Sequence, residues 1–386
     1  MIIESIVEKL ASGLHFFGSM DPVILYGLVM LAFTLAVLGF VANIAGISTY
    51  VERKFAATVQ QRVGPSEIFI PLPFTDMKFR PFGIIQFIAD GIKLISKEDI
   101  IPSDADRPLF KLAPFIVFAG SFPLWAVLPM GEGVYAADLN IGLLYIFAVA
   151  GVTVIGILLA GWASGNKWSL YGAMRSAAQI VSYELPAGIT FLTVVMAVGS
   201  LNINTIILDQ SRNASPWLFT QLGMEIPGGM LNWFVFRYPP FSMIMFILFF
   251  ISGVAEVNRA PFDLPESESE LVAGFHTEYT GMRFALFFLA EYVNMFVIGV
   301  ITSILFLGGW QPPYPGYILP GAIGQGLEGF FWFTVKGYFF VLLMMLMRWT
   351  LPRFRVDQLM HMCWKVLIPL AFINLTAIGI WISLLS

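Results

Sequence analysis

The chain has little charge and almost no cysteine. Only 12% of its 386 residues are charged, whereas 58% are hydrophobic, and soluble domains carry about 25% charged residues. This composition excludes a soluble globular enzyme and a disordered protein. The chain has 21 basic and 25 acidic residues, so it lacks the excess of basic residues that nucleic-acid binding requires. The composition therefore predicts an integral membrane protein that binds no nucleic acid.

The scarcity of thiols and imidazoles limits the redox chemistry of the chain. Cys363 is the single cysteine, so neither an internal disulfide nor an iron–sulfur cluster held by four thiolates can form. The histidines are scattered at His15, His276 and His361, without the spacing of metal ligands. We therefore expect no iron–sulfur cluster and no metal here. Any redox centres of an electron-transfer reaction would belong to other chains.

Long apolar runs, by contrast, are abundant. Roughly 20 apolar helical residues cross the hydrocarbon core of a bilayer, which is about 30 Å thick. About eight windows reach that length: 22–47, 108–130, 140–163, 180–201, 240–258, 284–307, 328–347 and 364–385. The predicted fold class is all-α, a polytopic membrane protein with one transmembrane domain over residues 1–386. Pro186 lies near the start of the fourth window and predicts an irregular first turn there.

The region 48–107 contains another apolar run, but its pattern predicts an amphipathic helix at the membrane surface and not a transmembrane helix. Its polar residues recur at spacings of four and three, which puts them on one stripe of a helix, with isoleucines elsewhere. These polar residues are Gln86, Asp90, Lys93 and Lys97. A helix with this pattern lies on a membrane or dips into it.

Lysine and arginine are concentrated in one set of alternate loops. The positive-inside rule assigns such loops to the cytoplasm. It predicts that 48–107 is a cytoplasmic loop, that 259–283 is an acidic cytoplasmic loop, and that 202–239 is an extracytoplasmic loop. Both termini are then extracytoplasmic.

Three groups of residues near the predicted cytoplasmic side could carry chemistry. The first is the motif at 50–54, which continues through Gln60 and Arg62 to a Gly64-Pro65 turn. Its basic residues either reflect only the orientation of the chain in the membrane or belong to a loop that binds a ligand or partner. An acidic run is either a solvated loop, a helix N-terminus, or a set of carboxylates that pass protons. Its members are Asp263, Glu266, Glu268 and Glu270.

The third group consists of ionisable residues in or beside the predicted spans: Glu184, Glu256, Glu291 and Lys336. A charge at the bilayer centre costs at least about 2.5–3.5 kcal/mol, so such acids predict function. Lys336 lies nearer the outside and is interpreted as a structural lysine that can snorkel. The residues alone thus leave two hypotheses open, a proton or ion path and a site for an amphipathic electron carrier.

The same residues resemble a known family in several blocks along the chain. The densest block is NRAPFDLPESESELVAG at 258–274, and the others lie at 50–54, 60–65, 89–98, 171–185, 282–285, 290–292 and 353–360. These blocks resemble the membrane subunit that borders the quinone site in respiratory complex I, which is the H subunit of NADH:quinone oxidoreductase (NADH dehydrogenase subunit 1 in mitochondria).

The resemblance implies an enzyme subunit, not catalytic in isolation, that couples quinone reduction to proton translocation in a bacterial inner membrane. Quinone is its substrate, whereas flavin and iron–sulfur centres lie in other subunits. Its partners would be the other membrane subunits, the hydrophilic iron–sulfur and quinone-reducing subunits, and membrane lipid.

The resemblance also implies residue roles. The quinone tunnel would include Arg53, Arg62, Arg259 and Phe262. The proton route would include Glu184, Glu256, Asp263, Glu266, Glu268, Glu270 and Glu291. Partner subunits would dock at Asp90, Lys93 and Arg283.

Three rival interpretations remain at this point. The chain could be the membrane anchor of a related membrane-bound hydrogenase or ferredoxin-dependent complex, in which no quinone need bind. It could also be a stand-alone ion transporter, although it has neither the internal repeats nor the broken helices that are typical of such folds. A purely structural anchor would not explain acids at membrane depth.

Overall fold

The computed structural model describes residues 22–66, 70–71, 78–79, 83–211, 229–265 and 268–385. The all-α prediction is confirmed. The helices are α1 (Pro22–Val59), α2 (Gln86–Ser96), α3 (Arg107–Ser121), α4 (Gly142–Ala163), α5 (Lys167–Val198), α6 (Ile203–Ser211), α7 (Phe234–Arg237), α8 (Phe241–Glu256), α9 (Glu268–Leu271), α10 (Gly281–Phe306), α11 (Gly321–Thr350), α12 (Val356–Met362) and α13 (Ile368–Leu385). Two short strands, β1 (Ile70–Pro71) and β2 (Lys78–Phe79), pair antiparallel between α1 and α2.

Among the described residues, seven apolar helices are long enough to cross a membrane, and they match seven of the predicted windows. Two of these spans combine more than one kind of helix. The span Arg107–Ala126 consists of α3 and a 3₁₀ turn, and the span Val356–Leu384 consists of α12, a π-helical segment and α13. The remaining window, 240–258, corresponds to the shorter apolar helix α8. The prediction of a multi-pass helical membrane protein is therefore confirmed.

Helix α1 continues to Val59, beyond the predicted end of its window, so the motif at 50–54 is helical. Helix α2 is amphipathic, as predicted. Its isoleucines Ile88, Ile92 and Ile95 are exposed, while Asp90 on its polar side binds Arg53 of α1.

The fourth span differs from the expectation. Helix α5 begins at Lys167, well before the predicted window, and it continues through Pro186 without interruption. A proline cannot donate to the carbonyl four residues earlier, here that of Ser182. That carbonyl instead accepts a hydrogen bond from the Cys363 thiol at 3.1 Å. The expected irregular turn is thus wrong, because another helix supplies the missing donor.

Small and polar residues of α5 hold the segment 258–276 against the helix bundle. A Cβ on Gly172 would lie 2.8 Å from the Cα of Gly274, so the two backbones touch. Gly274 also has a φ of +63°, which favours glycine. Gln179 Nε2 donates to the carbonyls of Ala255 at 2.8 Å and Phe262 at 2.7 Å. This packing fixes the position of the loop that follows α8.

Candidate functional site

Charged side chains from four parts of the chain meet in one cluster. We call Glu52, Arg259, Glu291 and Arg348, together with Tyr292, the charge cluster. Arg259 Nη1 lies 3.2 and 3.1 Å from the two carboxylate oxygens of Glu52, and its Nε lies 2.8 Å from Glu291 Oε1. Arg348 also binds the Glu52 carboxylate. The Tyr292 hydroxyl donates to Glu52 Oε2 at 2.7 Å.

The charges in the cluster balance, two carboxylates against two guanidinium groups. Glu52 is 6% exposed and Arg259 is 3% exposed, so each requires a partner to offset the cost of desolvation. Burial alone would lower the pKa of Arg259, but the carboxylates of Glu291 and Glu52 outweigh burial and hold its pKa well above the usual value. Its guanidinium also lies over the Tyr292 ring, 4.4 Å from the ring centroid. Arg259 is therefore a fixed positive charge.

The loop after Arg259 is clamped to the segment between α11 and α12. Asp263 is buried and binds Arg353 at 3.1 Å. The ring of Phe262 stacks on that of Phe354 with centroids 5.6 Å apart. Phe262 also lies beside Tyr183, at 5.7 Å between centroids. The loop therefore places an aromatic pair next to the charge cluster.

A cavity of about 60 Å³ lies beside the cluster, and Glu291 lines it. Its polar lining consists of Thr153, Glu256, Asn258, His276, Glu291 and Asn294. A water needs roughly 10–15 Å³ by this measure, so a few waters fit. Asn258 Oδ1 and Asn294 Oδ1 are buried and have no hydrogen-bond partner among the described residues. Buried acceptors of this kind normally bind water.

A second cavity of about 40 Å³ continues deeper between α4, α8 and α10. The two cavities share Thr153, Glu256, Val257 and Asn294 as lining residues. Glu256 therefore lies between the two cavities. Glu184 of α5 lies near enough for its charge to act on Glu256. The structure thus places Glu256 and Glu291 in the wall of the first cavity, with Glu184 near Glu256.

The remaining residues predicted for the acidic route have mixed positions. Glu270 is exposed and binds Arg175 of α5 at 2.6 Å. Glu266 lies outside the described residues, and for Glu268 the structure describes only the backbone, at the start of α9.

The other predicted tunnel and docking residues lie nearer the surface. The half-exposed side chain of Arg53 binds Asp90, and Lys93 lies 3.7 Å from Asp90. Arg62 is exposed and donates to Gln60 Oε1 at 2.7 Å; within the described ranges, no hydrogen bond or ion pair joins it to the charge cluster. Arg283 binds Asp99 at 2.8 Å.

Sequence reasoning missed four residues of this site. Glu52 belongs to the motif at 50–54, but the motif was interpreted through its basic residues. In the sequence Arg348 is one of the basic residues that indicate membrane orientation, and Tyr292 and Asn294 carry no signal apart from their places near Glu291. Glu52 follows the predicted window 22–47 by five residues, and continuation of that helix is the signal that could have placed this acid at the end of a span.

Lys336 is buried and does not snorkel to the surface. Its ammonium donates to the carbonyls of Leu307, Gly309 and Gln311 at 2.6, 2.9 and 2.7 Å. It lies 4.3 Å from the centroid of the Trp233 ring. All three donors are satisfied, which supports the interpretation of Lys336 as a structural lysine.

Comparison with known proteins identifies the family. The family model described as NADH dehydrogenase matches residues 31–379. The NADH-quinone oxidoreductase H subunit of Chlorobaculum tepidum is 48% identical over 336 residues, which cover 86% of each chain. The chain belongs to the family of NADH-quinone oxidoreductase H subunits.

Two further members of this family show the same relation over more of the chain. The H subunit of Chlorobium luteolum is 46% identical over 357 residues, 92% of this chain and 88% of that protein. The second H subunit of Cytophaga hutchinsonii is 41% identical over 368 residues, 90% of this chain and 98% of that protein. The family resemblance seen in the sequence is confirmed, and the chain is a membrane subunit of an oxidoreductase complex.

Within the described part of the chain, no group of three or more histidine, cysteine or acidic side chains could hold a metal ion.

Proposed function

We propose that this chain is the quinone-site subunit of a proton-translocating NADH- or ferredoxin-linked quinone oxidoreductase in a bacterial inner membrane. It forms the entrance of the quinone tunnel and an acidic route that couples quinone reduction to proton movement. The observation that carries the proposal is the dual position of Glu291. Its carboxylate binds Arg259 in the charge cluster and also lines the first cavity.

Arg259 is the residue of the tunnel best suited to the chemistry of quinone reduction. Reducing a quinone to a quinol takes two electrons and two protons and passes through an anion, which a fixed positive charge stabilises. A guanidinium keeps its charge under all physiological conditions. Phe262 and Phe354 offer an apolar aromatic surface close by, and Arg53 and Arg62 frame the mouth on the predicted cytoplasmic side.

The acidic route begins where the charge cluster meets the first cavity. A negative charge that develops near Arg259 weakens the hold of its guanidinium on Glu291, which favours a proton on that carboxylate. Water in the cavity can exchange this proton with Glu256, and Glu184 is the next acid. Electron transfer is thereby converted into a change of protonation state along a row of carboxyl groups. Asp263, Glu266, Glu268 and Glu270 belong to the loop at the head of the route.

The partners proposed are the other membrane subunits and the hydrophilic subunits that carry the flavin and iron–sulfur centres. Lys93 and Arg62 are exposed and lie on the predicted cytoplasmic side, where the hydrophilic subunits would dock. Arg283 and Asp90 are engaged within the chain, so we assign them to shaping this surface. The exposed isoleucines of α2 would contact membrane lipid.

The first experiment is affinity isolation of the tagged chain from its native membrane in mild detergent. Quinone reduction by the isolated material is then measured with NADH and, separately, with ferredoxin. Co-purification of flavin and iron–sulfur proteins with inhibitor-sensitive quinone reduction supports the proposal and identifies the donor. Isolation of the chain alone, or with a nickel–iron protein and no quinone activity, contradicts it and favours the hydrogenase-anchor interpretation.

A second experiment tests the route itself. Glu256→Gln removes the carboxyl group of the residue shared by the two cavities, whereas Asp357→Asn changes an exposed acid outside the proposed route. Proton uptake per electron is measured in proteoliposomes that contain the intact complex. The proposal requires a clear loss in Glu256→Gln and little change in Asp357→Asn. Equal proton uptake in both variants would remove Glu256 from the route.

A further inference from the structure

We propose that a third cavity, at the predicted extracytoplasmic end of the helix bundle, binds the headgroup of an aminophospholipid whose ammonium group contacts Asp138. We call it the outer cavity. It shares no lining residue with the first or the second cavity. The inference therefore depends neither on the quinone site nor on the acidic route.

The outer cavity is large enough for a small ligand. Its volume is about 540 Å³, and sites for small molecules measure about 300–1,000 Å³. Four parts of the chain form its wall: the segment 132–138 before α4, the segment 202–208 that follows α5 and enters α6, Trp310 after α10, and the first turns of α11. Each part adjoins the predicted extracytoplasmic end of a long apolar helix.

Aromatic residues place the outer cavity at the depth of lipid headgroups. Trp310 and Tyr135 line the cavity. The Tyr317 hydroxyl lies within hydrogen-bonding reach of Glu132 and Trp310. Tryptophan and tyrosine are enriched where the hydrocarbon core of a bilayer meets its headgroups. A ligand of the outer cavity is therefore at the level of the polar part of a lipid.

An apolar face of α11 adjoins the outer cavity. Ala322 and Gln325 line the cavity, whereas Ile323 and Leu327 are 72% and 62% exposed. Ile323 and Leu327 are four residues apart and so lie on the same side of the helix. A lipid with its headgroup in the outer cavity can lay an acyl chain along this face.

The wall of the outer cavity is acidic. Its described lining residues include the exposed acids Glu132 and Asp138 and neither lysine nor arginine. Asp138 is held by two amides, because its Oδ1 accepts from Asn202 Nδ2 at 2.7 Å and from Asn204 Nδ2 at 2.9 Å. Within the described ranges, Asp138 Oδ2 accepts no hydrogen bond. The wall therefore offers a fixed carboxylate with one oxygen available to a cation.

A primary ammonium headgroup fits this wall better than other lipid headgroups. It carries three N–H donors, as a lysine ammonium does, and forms charge-assisted hydrogen bonds with carboxylates. A trimethylammonium headgroup has no N–H donor, and the two acids repel an anionic headgroup. The lipid phosphate would lie beside Thr205 and Gln325, which are neutral lining residues with donor groups. The ligand class is thus a zwitterionic lipid with a primary amine, such as phosphatidylethanolamine.

The test uses a phosphatidylethanolamine that carries a photoreactive group on the first carbons of an acyl chain. The intact complex is purified in mild detergent, illuminated with this lipid and digested, and the labelled peptides are identified by mass spectrometry. The competitors are phosphatidylethanolamine, phosphatidylcholine and phosphatidylglycerol with identical acyl chains, and free ethanolamine. Labelling is normalised to the amount of assembled complex.

Three variants accompany the competition. Asp138→Asn retains Oδ1 as an acceptor for the two amides and removes the charge. Glu132→Gln removes the second charge of the wall, so the test does not depend on one substitution. Asp357→Asn changes an exposed acid on α12, which does not line the cavity, and is the control.

We expect the label in the segments 132–138 and 322–325. Phosphatidylethanolamine should compete at a concentration at least about tenfold lower than phosphatidylcholine or phosphatidylglycerol. Asp138→Asn should lower the labelling at least about tenfold, because a hydrogen bond between charged groups is lost. Glu132→Gln should lower it by a smaller factor, and Asp357→Asn should leave it unchanged.

Equal competition by phosphatidylglycerol overturns the inference, and so does unchanged labelling in Asp138→Asn. Competition by free ethanolamine at the same concentration as the lipid would assign the cavity to a soluble amine and overturn the lipid as its source. A carbodiimide crosslink from Asp138 to a lysine of another subunit, with no lipid label in the two segments, would show that a partner side chain fills the cavity and would overturn it as well. Labelling needs no turnover, so these outcomes are distinguishable from failure of the proposed function.

Discussion

Arg259 and Glu291 form an ion pair with 2.8 Å between Nε and Oε1, and the carboxylate of this pair also lines a cavity large enough for water. The same guanidinium binds Glu52 through its other edge. Any change in the charge near Arg259 therefore acts on an acid that can exchange protons with water. Glu291 therefore differs from an exposed, paired acid, because it contacts both a buried guanidinium and a cavity.

Glu291→Gln is expected to lower proton-coupled quinone reduction at least about tenfold, because an amide cannot take up the proton that a carboxylate accepts. Assembly should be preserved, since glutamine has nearly the same size and shape as glutamate. The measurement is inhibitor-sensitive quinone reduction normalised to donor oxidation with an artificial acceptor. Equal and mild effects of Glu291→Gln and of the exposed-site variant Asp357→Asn, which lies outside the route, would remove Glu291 from the route.

Gly172→Ala is expected to displace the loop that carries the acidic run, because its new Cβ would lie 2.8 Å from the backbone of Gly274. Gly188→Ala is the matched control on the same helix, since the nearest atom to its Cβ would be 3.8 Å away. We expect a loss of coupled activity in Gly172→Ala alone, measured on equal amounts of assembled complex. If both variants retain full activity, the close approach of the two glycines is not required.

Cys363→Ala is expected to destabilise the complex by about 1 kcal/mol, the value of one hydrogen bond, because the Ser182 carbonyl loses its donor. Pro186→Ala restores the backbone donor to that carbonyl, so the loss should be smaller when Cys363→Ala is made in this background. A double-mutant cycle on thermal unfolding measures the coupling. Strictly additive effects would show that the backbone N–H introduced by Pro186→Ala does not replace the Cys363 thiol as donor to the Ser182 carbonyl.

Lys336→Met is expected to impair stability and assembly more than turnover. The substitution leaves the carbonyls of Leu307, Gly309 and Gln311 without the ammonium, and a buried polar group without a partner costs about 1–3 kcal/mol. Lys365→Met, at an exposed position, is the control. The yield and thermal stability of the purified complex are compared, and a variant with normal stability but no turnover would assign Lys336 a catalytic part.

Stability is expected to fall on acidification because of His276. Its pKa is lowered by burial from about 6.5 in an unfolded chain to about 4, so the unfolded state binds more protons between these values. Linkage then predicts a loss of about 2 kcal/mol from pH 7 to pH 5. Glu256 and Glu291 share the cavity wall and titrate as well, so the comparison is with His276→Asn. The Tm of this variant should fall less between pH 7 and pH 5.

The sequence alone was sufficient for the apolar helices and the amphipathic helix α2, because both follow from the spacing of residues within one segment. It also identified Glu256 and Glu291, since an acid inside an apolar run is costly wherever it lies. The sequence did not predict which residues contact the buried acids. Arg348 and Glu52 meet across almost the whole chain, and nothing in either local pattern specifies the other.

The course of α5 shows the same limit. Pro186 predicts a break by a local rule, and the helix continues because Cys363 reaches it from a different span. Local patterns therefore gave the elements correctly where the deciding contact was local. They gave the wrong helix start and missed the balanced cluster where it was distant.

The order of synthesis gives the charge cluster a further meaning. Glu52 lies in α1, whereas its two cationic partners come from the segment after α8 and from α11. A ribosome produces Glu52 before either arginine. Arg259 balances this acid until Glu291 is made, and the cluster is balanced again only when Arg348 has been synthesised. Electroneutrality at this point is therefore gained, lost and regained as the chain grows.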